Sequence, residues 1–485
     1  MVFSSHLFVY YFLPITLAVY YVLPRRAKHV ALTLLSYVFY GWANPYFVFL
    51  MFGSTVVDYV CGLGMVGRLG RGRSRRIRTL PKDEPRSRGQ KVALAISICT
   101  NLSLLGFFKY FNFAAETYNA VVEGLGLAEM QWEGVFRVTL PLGISFYTFQ
   151  SMSYSVDVYR GDARAIRSFP DFACYVSMFP QLVAGPIVRF SEVAEQLHER
   201  THTFEKVSRG VAFFSLGMGK KVLLANPCGK IADTVFDAGS ALAPDAWYGA
   251  VAYAFQIYFD FSGYSDMAIG LGLMLGFTFP KNFDSPYRAG SITEFWQRWH
   301  ISLSSWLRDY VYVPLGGNRK GARRTYLNLA LVMLLGGLWH GAAWTFVVWG
   351  AIHGGMLALE RAMGKDSAYR RLPLYARVAM TFALTTFAWV FFRSASLSDA
   401  LAYLGHMFGL GHVQPGAALI GGIVYKPYYA LSMCAAAVVV WVAPQTWEWT
   451  ARLSGARAVA CVAVLWLSLV MLATQAYNPF IYFMF

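Results

Sequence analysis

Two histidines stand in apolar, tryptophan-rich stretches and could carry acid–base chemistry. His340 lies in residues 335–355, which read LGGLWHGAAWTFVVWGAIHGG and contain no charged residue. A buried neutral imidazole suits a general base that works near neutral pH, and a hydrogen-bonded packing residue is the alternative. His353 follows thirteen residues later, so on one straight helix it would point about 220° away. The two histidines could share one site only if the helix breaks.

The other histidine of interest, His300, lies in residues 294–309, which read EFWQRWHISLSSWLRD. On a helix with about 100° per residue, most large apolar side chains of this segment share one arc of roughly 120°. They are Phe295, Trp296, Trp299, Leu303, Trp306 and Leu307. His300 falls on the border of this arc. The pattern predicts one amphipathic helix, within a re-entrant or interfacial segment over 292–318, and a surface helix without chemistry is the alternative.

Further polar residues interrupt apolar stretches. Asp260 and Asp266 lie in QIYFDFSGYSD, residues 256–266, where a carboxylate could orient an imidazole or Asp266 could cap a helix. Gln150 is either a polar contact between helices or part of a cavity lining. No HExxH, GxSxG or P-loop motif occurs, so soluble hydrolases and ATPases lack support. Six cysteines without a CxxC pair argue against zinc, and we predict no metal site.

The composition indicates the elements that must position these residues. Hydrophobic residues make up 56% of the 485 positions and charged residues only 14%, whereas soluble domains carry roughly 25% charged residues. Apolar runs recur from Leu7 to the last residue. We therefore predict an all-α polytopic membrane protein with one continuous membrane domain over 1–485, about ten to thirteen spans, and re-entrant pieces such as 172–188.

The net charge of +16 is explained by membrane topology rather than by nucleic-acid binding. Basic residues cluster after the first apolar run, at Arg25, Arg26 and Lys28, and most densely between 67 and 91. Glutamates instead follow the fourth run. The positive-inside rule then predicts an N-terminus outside, a cytoplasmic basic loop over 67–91, and no nucleic-acid partner.

Five long segments resemble the membrane-bound O-acyltransferases. They read PLGISFYTFQ (141–150), FPQLVAGPIVRF (179–190), QIYFDFSGYSDMAIG (256–270), FWQRWHISLSSWLRDYVYVPLGGN (295–318) and LWHGAAWTFVVWGAIHG (338–354). With the opening MVFSSHLFVYYFLPI and the stretch WVFFRS at 389–394, the resemblance covers nearly the whole chain. Within the family, the sequence is most similar to the branch that acetylates alginate.

The resemblance implies a fold and a site. The family fold is a helical disk with a thinned centre, penetrated by a tunnel. The family's catalytic histidine matches His340, and its second active-site position matches His300. As general base, His340 would activate a hydroxyl, while His300, with Ser304 or a backbone N–H, would orient the donor or stabilise the oxyanion. Further tunnel or donor-site candidates are Arg298, Trp299, Arg308, Asp309, Trp339, Asp260 and Gln150.

The implied function is transfer of an acetyl group across the bacterial cytoplasmic membrane. The donor would be cytosolic acetyl-CoA, a substrate rather than a bound cofactor, whose phosphates a cationic rim at Arg298 and Arg308 would favour; these arginines could equally extend to lipid headgroups. The acceptor would be an exopolysaccharide such as alginate, reached directly or through a periplasmic SGNH-type acetyltransferase. Lipid acyl transfer and D-alanyl transfer are alternatives within the family, and a non-enzymatic transporter is the alternative outside it.

Overall fold

The regular structure of the chain is helical throughout the part that we describe. The computed structural model describes residues 1–67, 79–132, 134, 136–364 and 368–481. The arginines at 68–78, the densest part of the predicted cytoplasmic loop, lie outside the described residues. Within these ranges every regular element is a helix. The predicted all-α class is confirmed.

The chain divides into two compact units. The first comprises Met1–Val207 and Gly272–Pro280. Its helices are Leu7–Phe12, Leu13–Val22, Lys28–Gly41, Tyr46–Met65, Arg88–Gly124, Ala128–Met130, Ile144–Arg160, Phe169–Ser177, Phe179–Leu182 and Phe190–His198.

The second unit comprises Ser208–Leu271 and Lys281–Phe485, and it carries both candidate histidines. Its longer helices are Phe204–Gly219 (from Ser208 onward), Asn226–Phe236, Ala243–Met274 (up to Leu271), Ala322–His340, Trp344–Met363, Leu374–Arg393, Leu397–Met407, Pro427–Trp441 and Gly455–Thr474. Its shorter helices are Lys220–Ala225, Pro286–Arg288, Ile292–Arg298, Ile301–Leu307, Arg308–Tyr312, Ala368–Arg371, Ala417–Ile420, Gly421–Val424 and Thr446–Trp449.

Four helices of the described chain are long and apolar enough to cross a membrane. They are Tyr46–Met65, Arg88–Gly124, Leu374–Arg393 and Gly455–Thr474. The pair Ala417–Val424 and Pro427–Trp441, bent by 72°, would make a fifth span. These helices support a membrane-embedded protein, and the number of ten to thirteen spans stays a prediction.

One long helix replaces two predicted elements. The sequence predicts separate spans at 247–261 and 266–277, but Ala243–Met274 is continuous. The prediction that Asp266 caps a helix is also wrong, because Asp266 lies inside this helix. Its carboxylate instead pairs with the Lys220 ammonium at 2.7 Å and accepts a hydrogen bond from the Thr446 hydroxyl at 2.6 Å. The Asp266 carboxylate, which the sequence pattern assigned to a helix end, is therefore paired by Lys220 and Thr446, two residues distant from it in sequence.

Glycines allow the two helices around His340 to pack closely. A Cβ atom on Gly350 would lie 2.5 Å from the Met333 carbonyl oxygen, and one on Gly337 would lie 2.3 Å from that of Phe346. Helices with small residues at their interface can bring their backbones together in this way. The glycines thereby determine where helix Ala322–His340 ends relative to helix Trp344–Met363.

We expect Gly350→Ala to destabilise this helix pair. The new methyl group would overlap a backbone oxygen that cannot rotate away, and overpacking of this kind typically costs about 1–3 kcal/mol. Gly355→Ala on the same helix is the matched control, because a Cβ there meets nothing within 4 Å and alanine favours a helix. Thermal unfolding in detergent should show a lower Tm for Gly350→Ala only. Equal Tm values would contradict the close packing.

Candidate active site

His300 lies at a break between two short helices, Ile292–Arg298 and Ile301–Leu307. The prediction of one continuous amphipathic helix is therefore wrong. The backbone instead pairs with the loop that precedes it. The Ile301 N–H donates to the Asn282 carbonyl oxygen at 2.8 Å, and the Asp284 N–H donates to that of Arg298 at 2.9 Å. These bonds take the place of helical ones and turn the chain at His300.

The turn places His300 in the left-handed region, with φ 43° and ψ 55°. Only one other non-glycine residue of the described chain, Ser285, has a positive φ. This conformation costs roughly 1–2 kcal/mol for an ordinary side chain, and such strain is concentrated at functional sites. In this conformation the imidazole is fully buried, whereas the predicted continuous helix would place it at the edge of the apolar arc.

Two polar side chains contact the His300 imidazole. Nδ1 lies 3.2 Å from the Asn282 side-chain oxygen and 3.4 Å from the Ser302 hydroxyl. Asn282 also donates to the Ser265 hydroxyl at 2.9 Å. Nε2 is buried and has no hydrogen-bond partner among the described residues. Among the described residues, hydrogen bonds thus hold the imidazole at Nδ1 alone.

The His300 imidazole is neutral at physiological pH. It lies on the short helices, outside the candidate membrane spans. Burial, followed by the neighbouring His340, holds the pKa of His300 well below its usual range. Burial disfavours the charged form of an imidazole, so this ring enters a reaction without a proton on both nitrogens.

His340 is the last residue of helix Ala322–His340 and lies close to His300. The two ring centroids are 6.3 Å apart, with an interplanar angle of 63°. Aromatic rings surround the His340 imidazole, with centroids at 5.0 Å for Trp339, 5.3 Å for Trp349 and 5.2 Å for Phe392. The structure therefore brings together the two histidines that the sequence singled out, in aromatic surroundings.

His353 belongs to the same aromatic cluster. Residues 341–343 interrupt the helix, so His340 and His353 do not lie on one straight helix. Both pack against Trp349, and the Trp349 and His353 centroids are 4.8 Å apart. His353 Nδ1 accepts a hydrogen bond from the Trp296 indole at 3.3 Å. His353 thus packs against Trp349, which in turn packs against His340.

Among the other predicted site residues, the two tryptophans contribute to the aromatic surroundings of the histidines, whereas Ser304 forms its hydrogen bond elsewhere. Trp339 packs against both histidines, with its centroid 5.7 Å from that of His300 and 5.0 Å from that of His340. Trp299 packs against Phe283 at 5.1 Å, behind the His300 ring. The expectation that Ser304 assists His300 is not supported, because its hydroxyl donates to the Trp299 carbonyl oxygen at 3.3 Å. Ser302 is the serine that contacts the imidazole.

The charged candidates form ion pairs of their own. Arg298 pairs with Glu294 at 2.7 Å, and Arg308 pairs with the adjacent Asp309 at 2.6 Å. Both pairs are partly exposed to the protein's surroundings, so a role in donor binding stays a prediction for Arg298, Arg308 and Asp309.

Two polar candidates are deeply buried. Asp260 forms a buried ion pair with Lys221 at 2.7 Å. It is therefore not the group that orients either imidazole through a hydrogen bond. Gln150 is fully buried on helix Ile144–Arg160 of the first unit, and its role as a tunnel residue stays a prediction.

Sequence reasoning missed Asn282, Ser302, Trp349 and Phe392. Ser302 and Asn282 contact the His300 imidazole, and Trp349 and Phe392 contact that of His340. A polar residue between aromatic and turn-forming residues, as in KNFDSPY at 281–287, was the available signal for Asn282. Nothing local in the sequence connects it to His300.

The His300 imidazole lies next to that of His340 in aromatic surroundings, an arrangement suited to proton transfer during attack by a hydroxyl. The fold and this site define an all-helical membrane protein with two neighbouring histidines in an aromatic cluster. The family model for MBOAT, the membrane-bound O-acyltransferase family, matches residues 159–397, which include both histidines and Asn282. The chain belongs to the membrane-bound O-acyltransferase family.

Curated relatives agree with the family assignment. The chain is 48% identical over 415 residues to a "Probable alginate O-acetylase AlgI" of Pseudomonas putida, across 85% of this chain and 81% of that protein. It is 36% identical over 452 residues to a peptidoglycan O-acetyltransferase of Helicobacter pylori, with 85% and 81% covered. A teichoic acid D-alanyltransferase of Streptococcus thermophilus is 30% identical over 237 residues, 46% of this chain and 57% of that protein.

These similarities confirm the predicted family and its alginate-acetylating branch. They also confirm that the chain is an enzyme, an O-acyltransferase embedded in a membrane. Two of the three relatives carry names for O-acetyl transfer. The roles of individual side chains stay predictions.

Proposed function

We propose that this protein transfers acetyl groups from cytosolic acetyl-CoA across the bacterial cytoplasmic membrane for O-acetylation of an exopolysaccharide such as alginate. The observation that carries the proposal is the pair of neighbouring histidines, the buried His300 and the half-buried His340, within the segment that matches the family. The similarity to the alginate O-acetylase named above favours the polymer.

In the proposed reaction a hydroxyl oxygen attacks the thioester carbonyl carbon. The new carbon–oxygen bond forms, the carbon–sulfur bond breaks, and the hydroxyl proton finally reaches the CoA thiolate. His340 acts as general base and removes this proton as the oxygen attacks. The aromatic rings around His340 exclude water, which would otherwise compete with the acceptor hydroxyl.

The membrane orientation and the partners complete the proposal. The N-terminus lies outside, and the basic residues between 67 and 91 lie in the cytoplasm, where acetyl-CoA is available. Arg298 and Arg308 are the candidate contacts for its phosphates. Outside, an SGNH-type acetyltransferase receives the acetyl group and completes acetylation of the polymer.

Proteoliposomes test the proposal. Purified protein is reconstituted and supplied on the outer face with acetyl-CoA labelled in the acetyl group, while alginate and the periplasmic partner are enclosed in the lumen. We expect free CoA thiol outside and labelled acetyl on the luminal polymer, both dependent on the protein. Vesicles without protein and vesicles loaded with an unmodifiable polymer are the controls.

The donor distinguishes the alternatives within the family. If acetyl-CoA is neither cleaved nor used as a donor, with the partner and polymer present, the acetyl-CoA proposal is wrong. Transfer from a D-alanyl carrier protein in the same vesicles would then favour D-alanyl transfer, which is the activity named for the teichoic acid relative. Transfer of a long acyl chain to lipid would favour the lipid alternative.

A further inference from the structure

Asn282 connects the loop before the short helices to the His300 imidazole. It lies on the segment that pairs with residues 298–301, and its side chain is almost completely buried. The side-chain oxygen accepts from the Ser302 hydroxyl at 2.9 Å and from the Ser302 N–H at 3.3 Å. The same oxygen lies 3.2 Å from His300 Nδ1. The side-chain oxygen of Asn282 therefore contacts three groups: the Ser302 hydroxyl, the Ser302 N–H and His300 Nδ1.

The orientation of the Asn282 amide follows from its partners. A backbone N–H can only donate, so the side-chain atom that faces the Ser302 N–H must be the oxygen. The amide nitrogen then faces the Ser265 hydroxyl, to which it donates at 2.9 Å. A flipped amide would place two donors against each other at Ser302. The side-chain oxygen of Asn282 is thus assigned to the imidazole side.

This orientation determines which imidazole nitrogen carries the proton. An amide oxygen only accepts, so His300 Nδ1 must be the donor in the bond between them. The Ser302 hydroxyl already donates to the same oxygen and can only accept from Nδ1. In a neutral ring with hydrogen on Nδ1, Nε2 carries a lone pair. Nε2 is the nitrogen that has no partner among the described residues.

We infer that Asn282 is a positioning residue that holds His300 in the Nδ1–H form, so that His300 Nε2 acts as a proton acceptor during acyl transfer. The inference deepens the proposed function and rests on it for the identity of the reaction. It also corrects the expectation that His300 donates to the oxyanion, since a neutral ring in this form has no hydrogen on Nε2. The hydroxyl proton that must reach the thiolate has an acceptor at His300 as well as at His340.

The charged groups near His300 leave this assignment intact. His340 faces the ring from helix Ala322–His340. On helix Ala243–Met274, Asp260 and Asp266 pair with Lys221 and Lys220. On the loop and the short helices, six charged groups form the pairs Lys281–Asp284, Glu294–Arg298 and Arg308–Asp309, and Arg288 donates to the Val440 and Ala443 carbonyl oxygens. His340 is therefore the titratable group in ring contact with His300.

Solid-state NMR of the whole protein with ¹⁵N-labelled histidine tests the protonation state without requiring turnover. The His300 signals are identified by their loss in His300→Gln. We expect a protonated Nδ1 and an unprotonated Nε2 near neutral pH. The opposite pattern would overturn the inference. This readout remains valid if acetyl-CoA proves not to be the donor, so the failure of the inference and the failure of the proposed function are distinguishable.

Substitution of Asn282 tests its consequence for the reaction. Asn282→Asp keeps an acceptor at Nδ1 and adds a negative charge that favours the imidazolium. We expect activity to be retained while the acid limb of the pH–rate profile moves upward by about 1 pH unit or more. Asn282→Leu removes the acceptor, and we expect kcat to fall about 100-fold with little change in KM. Asn318→Asp introduces the same charge at an exposed position and should leave the profile unchanged.

The outcomes separate positioning from a structural role. If Asn282→Asp and wild type have the same acid limb, or if folded Asn282→Leu turns over at the wild-type rate, Asn282 does not control His300. If Asn282→Leu fails to fold, the acid limb of Asn282→Asp and the NMR signals of wild type decide the question. Gel filtration and thermal unfolding monitor the fold of each variant.

Discussion

His340→Ala is expected to reduce acetyl transfer by a factor of about 10²–10⁴, the usual contribution of a general base. His340 packs among Trp339, Trp349 and Phe392, so its loss could also loosen this cluster. His340→Gln keeps a polar side chain of similar size and should lose activity to the same extent. The release of CoA thiol in proteoliposomes, at matched Tm, measures the effect.

A double variant of His300 and His340 tests whether the two histidines act in the same step. If His300 and His340 act on the same proton transfer, His300→Ala/His340→Ala should be little slower than the worse single variant, since residues that act as a unit are not additive. His412→Ala is the control, because its side chain is exposed on a loop. Activity close to wild type in His340→Ala would contradict the proposed base. Fully additive losses would mean that the histidines serve separate steps.

Lys221→Met is expected to destabilise the protein more than Gly350→Ala does. The side chains of Lys221 and Asp260 are 3% and 2% exposed and form an ion pair of 2.7 Å. Removal of one partner leaves a buried carboxylate without its counter-charge, which typically costs about 3–5 kcal/mol. Thermal unfolding in detergent should show a large decrease in Tm.

The same pair anchors the C-terminal segment. The Lys221 ammonium donates to the Pro479 carbonyl oxygen, and the Asp260 carboxylate accepts from the Ile481 N–H at 2.8 Å. We therefore expect Lys221→Met to expose this segment to a protease as well. The loss of C-terminal residues, followed by mass spectrometry, measures this effect separately from Tm.

Two controls test whether charge burial is the cause. Lys221→Met/Asp260→Leu removes both charges and should recover part of the lost Tm, because two apolar side chains no longer require compensation. Lys82→Met breaks an exposed pair with Asp162 and should have little effect. If Lys82→Met lowers Tm as much as Lys221→Met, burial is not the reason.

The membrane class, the family and the two histidines could be predicted from the sequence because their signals are local. Hydropathy is a property of consecutive residues, and the motifs around His300 and His340 are unbroken runs. The predicted helix over 294–309 is interrupted at two residues, Trp299 and His300. Its apolar arc was read correctly, since Phe295 and Trp299 are buried. The break at His300 depends on hydrogen bonds to a loop that the helical wheel does not contain.

The sequence by itself determined which side chains could react, and the tertiary structure decided how they meet. His300 is eighteen residues from Asn282 and forty from His340, and the Nδ1 contact, the ring contact and the left-handed backbone arise only when the chain folds back on itself. The same holds for Asp260, whose partner Lys221 lies on another helix. Periodicity describes the neighbours along one helix, whereas the protonation state of a buried imidazole depends on neighbours from several elements, because desolvation and hydrogen bonding act through space.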